Sequence, residues 1–498
     1  LKQIPYQGLR NFQKDVSIIL GNCIAIAPTG SGKTEASLMW ALENIKDMGN
    51  AKLIYLLPTK ATANSIWKRL IDIFGHKNVG LSHSSAHNYF YYEDDSYEYS
   101  MDYEKERNLL FDRTFIRPAT VATVDQILSI GYHTKHWTVK EFNSMNSVII
   151  IDEVHAYDGW TMGLLIKTIE RLSSLGARFL LMSATMPKYL VDLFSKTLKN
   201  VKVVQDDELL SEARSNYQID ERNISDAYDD IINTVMSGHK VLVVVNTVDT
   251  CQKMAEELGM LNPICYHSRF IEKDRKAIER NIENANLVIA TQIVEVSLDI
   301  DFDWLYTECA PPDALAQRAG RVNRYRDPNR NSQVIIFKPG EKSQRLYNPL
   351  EDPELLSRTY EAFRDASCSR IKESDLLEIL ESVYAGFPME ETDAYKQAIS
   401  MYKKGQQDRL YILDSLEQEN EAEVTRLEKY TTISTIPLCF YNEILDLMPG
   451  ERTLYEVKIP YWYYRKHFVV CNGIVLCNIL YDTNYGAILE PDTKCECI

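Results

Sequence analysis

Short apolar runs with almost no polar interruption recur through the first 340 residues, separated by segments whose apolar positions have helical spacing. NCIAIA (22–27), KLIYLL (52–57), ATVAT (119–123), SVIII (147–151) and FLLM (179–182) form a first set. A strand that is apolar at successive positions is buried on both faces, the environment of a parallel sheet covered by helices. The pattern predicts a first α/β domain over 1–205. After an acidic connection, QDDELLSEARSN (205–216), the runs resume with KVLVVV (240–245), PICY (263–266), NLVIA (286–290), WLYTE (304–308) and QVIIF (333–337). Helix-competent segments such as IEKDRKAIERNI (271–282) lie between them, predicting a second α/β domain over 206–340. The halves share an architecture without a readable sequence repeat.

Residues 341–498 change character and are expected to form a linker and a mixed α/β accessory domain. SDLLEILESVY (374–384) and DSLEQENEAEVTRLEKY (414–430) have helical spacing, whereas KIPYWYYRKHFVV (458–470), NGIVLCNILY (472–481) and GAILE (486–490) predict strands and hairpins. The cluster YWYYRKH (461–467) is read first as packing in a strand-rich core or domain interface, with contact to DNA or a protein as the alternative. YYEDDSYEYSMDYEKER (91–107), with seven acidic and two basic residues, predicts a solvated insertion in the first domain.

Composition narrows the class. At roughly 150 residues per domain, 498 residues suggest about three domains. The 45% hydrophobic and 25% charged content excludes collagen-like, mucin-like and wholly disordered chains. No apolar run approaches the roughly 18 residues of a membrane span, and no basic-then-apolar leader opens the chain. The ten cysteines form no repeated framework. Cys471, Cys477, Cys495 and Cys497 have no clear zinc spacing and are expected as free thiols. A soluble, reducing, cytoplasmic setting with no membrane partner is expected. With 55 basic and 71 acidic residues the net charge is −16. That balance excludes a broadly basic polymer-binding surface, but not a nucleic-acid motor whose cations line a narrow path.

The strongest chemical signal is APTGSGKT (27–34), between an apolar run and a helix-competent segment. Thr29, Gly30, Ser31 and Gly32 form a turn that lets backbone N–H groups surround phosphate oxygens at a helix start. Lys33 then reaches the β/γ-phosphates of ATP, and the Thr34 hydroxyl is suited to Mg²⁺. The pattern GxxxxGK[ST] is broken at its first position by Ala27, which leaves the cradle intact. In SVIIIDEVHAYD (147–158), Asp152 and Glu153 emerge at a strand end. Asp152 suits holding Mg²⁺, and Glu153 suits orienting or deprotonating the attacking water. Ser183 and Thr185 of SAT (183–185) follow the next strand and are expected to couple the acidic pair to domain position. Three strand ends with complementary groups fit a ligand site on an open α/β sheet. In QRAGRVNR (317–324), Gln317, Arg321 and Arg324 share one face if the segment is helical, and the arginines suit charge on a transferring phosphoryl group. Their placement predicts that ATP brings two domains together.

The order PTGSGKT, DEVH, SAT, ATQIVEVSLDIDFD and QRAGRVNR resembles a superfamily 2 helicase, over about residues 10–326. The resemblance implies two RecA-like parallel-sheet helicase domains with a smaller mixed C-terminal domain, an α/β fold. It implies that Gln13 recognises adenine and that Asp299 couples nucleotide contacts to strand binding. More narrowly, DEVHAYD, SLDIDFD and QRAGRVNR resemble the helicase part of the type I CRISPR-associated helicase–nuclease family. LSHSSAHNY (81–89) fits the same resemblance. Members of that family are recruited to an RNA-guided surveillance complex and translocate 3′ to 5′ on single-stranded DNA while an HD nuclease degrades it.

The family's nuclease part uses a His–Asp pair, and none of the nine histidines here is next to an aspartate. His83 and His87 have i,i+4 spacing without a carboxylate-plus-histidine constellation. The chain opens on Leu1 and enters helicase sequence almost at once. An HD nuclease is therefore expected as a separate subunit or an upstream domain, with no cleavage by this chain. The resemblance implies strand contacts by Thr59, Asn64, Arg69, Thr123 and Gln126, and by Asn246, Thr247, His267, Arg269 and Thr291. Without it, such loop residues would be read as local turn caps. The motifs do not separate DNA from RNA, so an RNA helicase outside CRISPR and an ATPase-fold docking adaptor stay open.

Overall fold

The computed structural model describes residues 8–84, 86, 102–132, 136–295, 300–347, 352–366, 370–385, 389–407 and 432–489. His87, Asp299, the segment 91–101, the helix expected over 414–430, Cys495 and Cys497 lie outside the described residues. The chain divides into two compact units, Leu1–Ala213 with Lys372–Leu427 and Arg214–Ile371 with Glu428–Ile498. No helix among the described residues is long and apolar enough to cross a membrane.

The first unit is built on strands β1 (Cys23–Ile26), β2 (Leu53–Leu57), β3 (Val79–Ser82), β4 (Ala119–Thr123), β5 (Val148–Ile151), β6 (Arg178–Ser183) and β7 (Lys202–Gln205). They form one sheet in the order β3-β4-β2-β5-β6-β1-β7, parallel at every pairing. Their uninterrupted apolar character has the expected cause. Ile149 and Ile151 join a core with Ile24, Ile26 and Leu181 on one face. Val148 and Ile150 join Ala25, Leu180 and Met182 on the other. Because all strands run the same way, the loops after β1, β5 and β6 leave one edge of the sheet side by side.

Helix Asp393–Gln407 packs on helix Gly159–Ser174 in the same unit. The close approach needs Gly163, where a Cβ would lie 2.9 Å from both Ala398 Cβ and the Tyr395 carbonyl oxygen.

The second unit repeats the plan with β8 (Ala213–Asp220), β9 (Val241–Val244), β10 (Ile264–Tyr266), β11 (Leu287–Ala290), β12 (Trp304–Glu308), β13 (Gln333–Phe337) and β14 (Arg370–Lys372), ordered β10-β11-β9-β12-β13-β8-β14. A smaller mixed sheet forms a distinct C-terminal domain from β15 (Thr432–Pro437), β16 (Val457–Pro460), β17 (Phe468–Cys471) and β18 (Ile474–Cys477), ordered β16-β15-β18-β17. Ile436, Ile444, Val457, Ile459 and Leu476 supply its core. A hairpin, β19 (Leu480–Asp482) and β20 (Gly486–Ile488), follows.

One expected strand is a helix. Tyr461–His467 is helical between β16 and β17, with Pro460 at its N-cap. Aromatic content favours strands, but here Tyr463 turns into the core while Tyr461 and Trp462 stay exposed. Tyr461 stacks on Tyr464 at the helical i,i+3 spacing, centroids 6.3 Å apart.

Candidate nucleotide and nucleic-acid sites

The phosphate loop leaves β1 and enters helix Lys33–Met48 through Gly32, whose φ of 83° is left-handed. A Cβ at Gly32 would lie 2.2 Å from Gln13 Nε2, so glycine is required twice over. Gln13 Nε2 donates to the Gly32 carbonyl at 3.2 Å, and the Arg10 guanidinium donates to the Gly30 carbonyl at 3.2 Å. Gln13 thus braces the loop from behind. Arg10, which has no motif of its own in the sequence, does the same. The Ser31 hydroxyl is buried with no hydrogen-bond partner among the described residues. Lys33 and Thr34 open the helix, where the first N–H groups have no intrahelical acceptor.

Lys33 Nζ donates to the Ala27 carbonyl at 2.9 Å and lies 3.9 Å from Glu153 Oε1. This contact joins the loops after β1 and β5. Asp152 is buried beside it, and its carboxyl is held well above the usual range by burial first and by Glu153 second, with Lys33 opposing. The Glu153 N–H donates to Asp152 Oδ1 at 2.9 Å, and the Tyr55 hydroxyl donates to Asp152 Oδ2 at 3.3 Å. Burial and the nearby Asp152 raise the Tyr55 phenol above its ordinary value, which keeps it a donor. In KLIYLL this tyrosine reads as one more strand residue, and only its lone polar atom in an apolar run marks it.

Beyond the acidic pair, His155 Nδ1 lies 3.5 Å from Glu153 Oε2 and 2.5 Å from Ser183 Oγ. Ser183 Oγ also donates to the Thr185 carbonyl, and the Thr185 N–H lies 3.2 Å from Ser183 Oγ. A continuous polar chain therefore runs from Lys33 through Glu153 and His155 to the loop after β6. His155 is the member that strand-end reasoning did not single out.

In the second unit the arginine segment is not one helix. Helix Pro312–Ala319 carries Gln317, half-buried, and ends at Gly320. Asn323, at φ 44°, turns the chain, with its Nδ2 donating to the Arg214 and Asp327 carbonyls. The shared helical face expected for Gln317, Arg321 and Arg324 is therefore absent. Arg321 is buried, donating to the carbonyls of Val294 at 3.0 Å and Glu295 at 2.6 Å. Arg324 is half-buried, its N–H on Asp301 Oδ1 at 2.8 Å. The neighbouring Arg318 is 0% exposed and bonds Glu295, Thr307, the Glu308 carbonyl, Asn246 and Tyr347.

Most expected strand contacts have local partners. Thr59 and Thr247 cap their helices, accepting from the N–H groups of Thr62 and Thr250. Asn64 Oδ1 lies 2.8 Å from His83 Nε2, and burial pushes His83 down to about 3. Arg69 pairs with Glu35, and Gln126 accepts from Ser82 at 3.1 Å. Thr123 is buried at the start of helix Val124–Leu128. Asn246 is buried and donates to the Cys309 carbonyl while accepting from Arg318. His267 is 0% exposed, with Nε2 3.0 Å from the Tyr485 carbonyl. Arg269 pairs with Asp249 at 2.7 Å, and Thr291 is buried after β11. These residues shape the loops at the strand ends.

Two sheets of this topology, with the phosphate loop after β1 and the acidic pair after β5 on the same edge of the first sheet, define a superfamily 2 helicase. Residues 11–193 match the DEAD/DEAH box helicase family, and residues 237–327 match the C-terminal region of the CRISPR-associated nuclease/helicase Cas3. The chain belongs to the Cas3-like helicases of type I CRISPR systems. It is 30% identical over 497 residues to a putative CRISPR-associated nuclease/helicase Cas3 of Methanocaldococcus jannaschii, covering 92% of this chain and 64% of that one. It is 27% identical over 440 residues to the CRISPR-associated endonuclease/helicase Cas3 of Escherichia coli, covering 75% of this chain and 49% of that one. The fold is that of the T. fusca Cas3–AMPPNP crystal structure, with TM-score 0.74 at 18% identity over 97% of this chain and 70% of that one.

Proposed function

We propose that this chain is an ATP-driven motor that moves 3′ to 5′ along single-stranded DNA in type I CRISPR interference. It would act beside an RNA-guided surveillance complex. Strand cleavage is assigned to an HD nuclease, carried by a separate subunit or by an upstream domain, because no His–Asp pair occurs in this sequence. The observation that carries the reading is the approach of Lys33 to Glu153 at 3.9 Å across the ends of β1 and β5, parallel strands on either side of β6.

The donor set fits a nucleotide triphosphate. The Ser31 hydroxyl is unpartnered among the described residues, Gly30 and Gly32 are left-handed, and the Lys33 ammonium stands at the helix start. Thr34 and Asp152 are the residues that would hold Mg²⁺, whose charge offsets that of the phosphates when it is bound. Glu153, positioned by Lys33 and His155, orients and deprotonates the attacking water. Tyr55 and the Glu153 N–H fix the orientation of Asp152. Gln13 is assigned to the base edge and Asp299 to coupling, and Gln317, Arg321 and Arg324 to the transferring phosphoryl group, all on the family resemblance. Turnover passes from Glu153 through His155 to Ser183 and Thr185. The loops at Thr59, Asn64, Arg69, Thr123, Gln126, Asn246, Thr247, His267, Arg269 and Thr291 grip phosphate and sugar without reading sequence.

The test compares ATP hydrolysis with single-stranded DNA, single-stranded RNA and no polymer, together with displacement from duplexes bearing 3′ or 5′ tails. DNA-stimulated hydrolysis with displacement from the 3′-tailed substrate is expected. Stimulation by RNA alone would make the chain an RNA helicase, and no hydrolysis at all would make it an adaptor. Labelled single-stranded DNA incubated with divalent metals is expected to stay intact. Cutting by homogeneous protein would overturn the assignment of cleavage elsewhere.

A further inference from the structure

The C-terminal sheet ends on β17, which has β18 as its only strand partner among the described residues. The two are antiparallel, pairing Phe468 with Cys477, Val469 with Leu476, Val470 with Val475 and Cys471 with Ile474. The Asn478 N–H donates to the His467 carbonyl at 2.8 Å, so His467 and Asn478 form a hydrogen-bonded pair. Antiparallel ladders alternate such pairs with unbonded ones. Val469 and Cys471 therefore bond to β18, and the Phe468 C=O and both backbone groups of Val470 face the open edge, while the Phe468 N–H donates to the Tyr464 carbonyl at the end of the helix.

The side chains of those two residues are also exposed, Phe468 at 52% and Val470 at 58%, with Val475 beside them at 48%. Tyr464 lies against Phe468 with ring centroids 5.8 Å apart, and Trp462 and Leu480 are exposed as well. A soluble chain ordinarily protects an edge of this kind with charge, proline or a covering segment. Here two cations precede the edge. Arg465 and Lys466 are exposed on the helix leading into β17, and Lys466 lies over the Trp462 ring at 5.9 Å.

We infer that β17 is a docking edge for an extended, acidic-flanked polypeptide segment of a partner protein, which adds a strand beside Phe468 and Val470. Main-chain bonds supply affinity, alternate apolar side chains of the segment rest on Phe468, Val470 and Val475, and its flanking carboxylates meet Arg465 and Lys466. Charge favours an acidic segment over a second copy of this chain, which would bring two more cations to the same edge and no complementary charge from Arg465 or Lys466. The outward N–H and C=O of Val470 favour a polypeptide strand over nucleic acid, which would use only the aromatic faces and the cations and leave those backbone groups unpaired.

The test uses the full chain and a labelled peptide of three valines alternating with two threonines, flanked at each end by two glutamates. Fluorescence anisotropy is expected to show saturable binding. Val470→Pro removes an outward N–H while leaving the ladder to β18 intact, as proline is tolerated on an edge. It is expected to weaken binding about tenfold, the loss of one main-chain bond. Arg465→Glu is expected to weaken it further as ionic strength falls, and the same peptide with lysine flanks is expected not to bind. Circular dichroism and the unfolding midpoint report that both variants stay folded. Binding that ignores Val470→Pro would overturn the inference. So would concentration-dependent self-association abolished by Val470→Pro. Binding of a labelled oligothymidine, lost in Trp462→Ala and unchanged in Val470→Pro, would assign the surface to single-stranded nucleic acid instead.

Discussion

The phosphate loop of the first unit and the arginine segment of the second carry motifs of equal sequence prominence, yet the two differ in how their polar groups are used. In the loop, Ser31 is unpartnered among the described residues, and Lys33 rests on one carbonyl beside Glu153. In the arginine segment, Arg318 is fully buried with five partners, and Arg321 bonds two backbone carbonyls. A basic cluster in sequence is thus in large part a brace in the fold. The loop is built for a ligand.

Substitutions that separate bracing from chemistry sharpen this difference. The largest effect on stability is expected from Arg318→Ala, which leaves Glu295 buried without its cation and costs about 3–5 kcal/mol. Denaturant unfolding would show it, and a loss under about 1 kcal/mol would remove Arg318 from the brace. Lys33→Ala should instead keep the unfolding midpoint and slow hydrolysis by about a hundredfold or more, roughly 2.7 kcal/mol of transition-state stabilisation. A destabilised but active Lys33→Ala would reverse the comparison.

Gly163→Leu forces a side chain against Ala398 and the Tyr395 carbonyl, and overpacking of this kind costs about 1–3 kcal/mol. The thermal midpoint should fall; an unchanged one would mean that the two helices separate without cost. The smallest effect concerns His83. Its folded pKa, about 3, lies below the unfolded value of 6.5, so the unfolded chain takes up the proton first. The contribution of His83 is fully present above pH 6.5 and is lost as pH falls toward 3. Between pH 7 and 5 this amounts to about 1–2 kcal/mol. His83→Gln keeps a polar partner for Asn64 and should flatten that part of the stability profile. An unaltered slope would place the titrating group elsewhere.

The same contrast explains what was legible in the sequence. The strand–loop–helix unit at 22–45 and the acidic pair after β5 could be read because glycine, lysine and carboxylate at a strand end have few other uses. Parallel pairing then brings them together without further information. Arg10, Tyr55 and His155 could not be read the same way. Each acts on a neighbour distant in sequence, and only the strand order puts them in contact. The arginine segment departs from a single helical face because its helix stops at Gly320. Tyr461–His467 is a helix despite its strand-like aromatic content because its rings stack at i,i+3 and Pro460 starts it. A helix stop decides the first place, and a proline start with helical ring spacing decides the second.

The most direct measurement is Glu153→Gln, followed at once by binding of a fluorescent ATP analogue, by DNA-stimulated hydrolysis and by the unfolding midpoint. The account predicts retained binding, an unchanged midpoint within about 1 kcal/mol, and turnover lowered by about a hundredfold or more, the range for removing a positioned base. Turnover at the unsubstituted rate would contradict it.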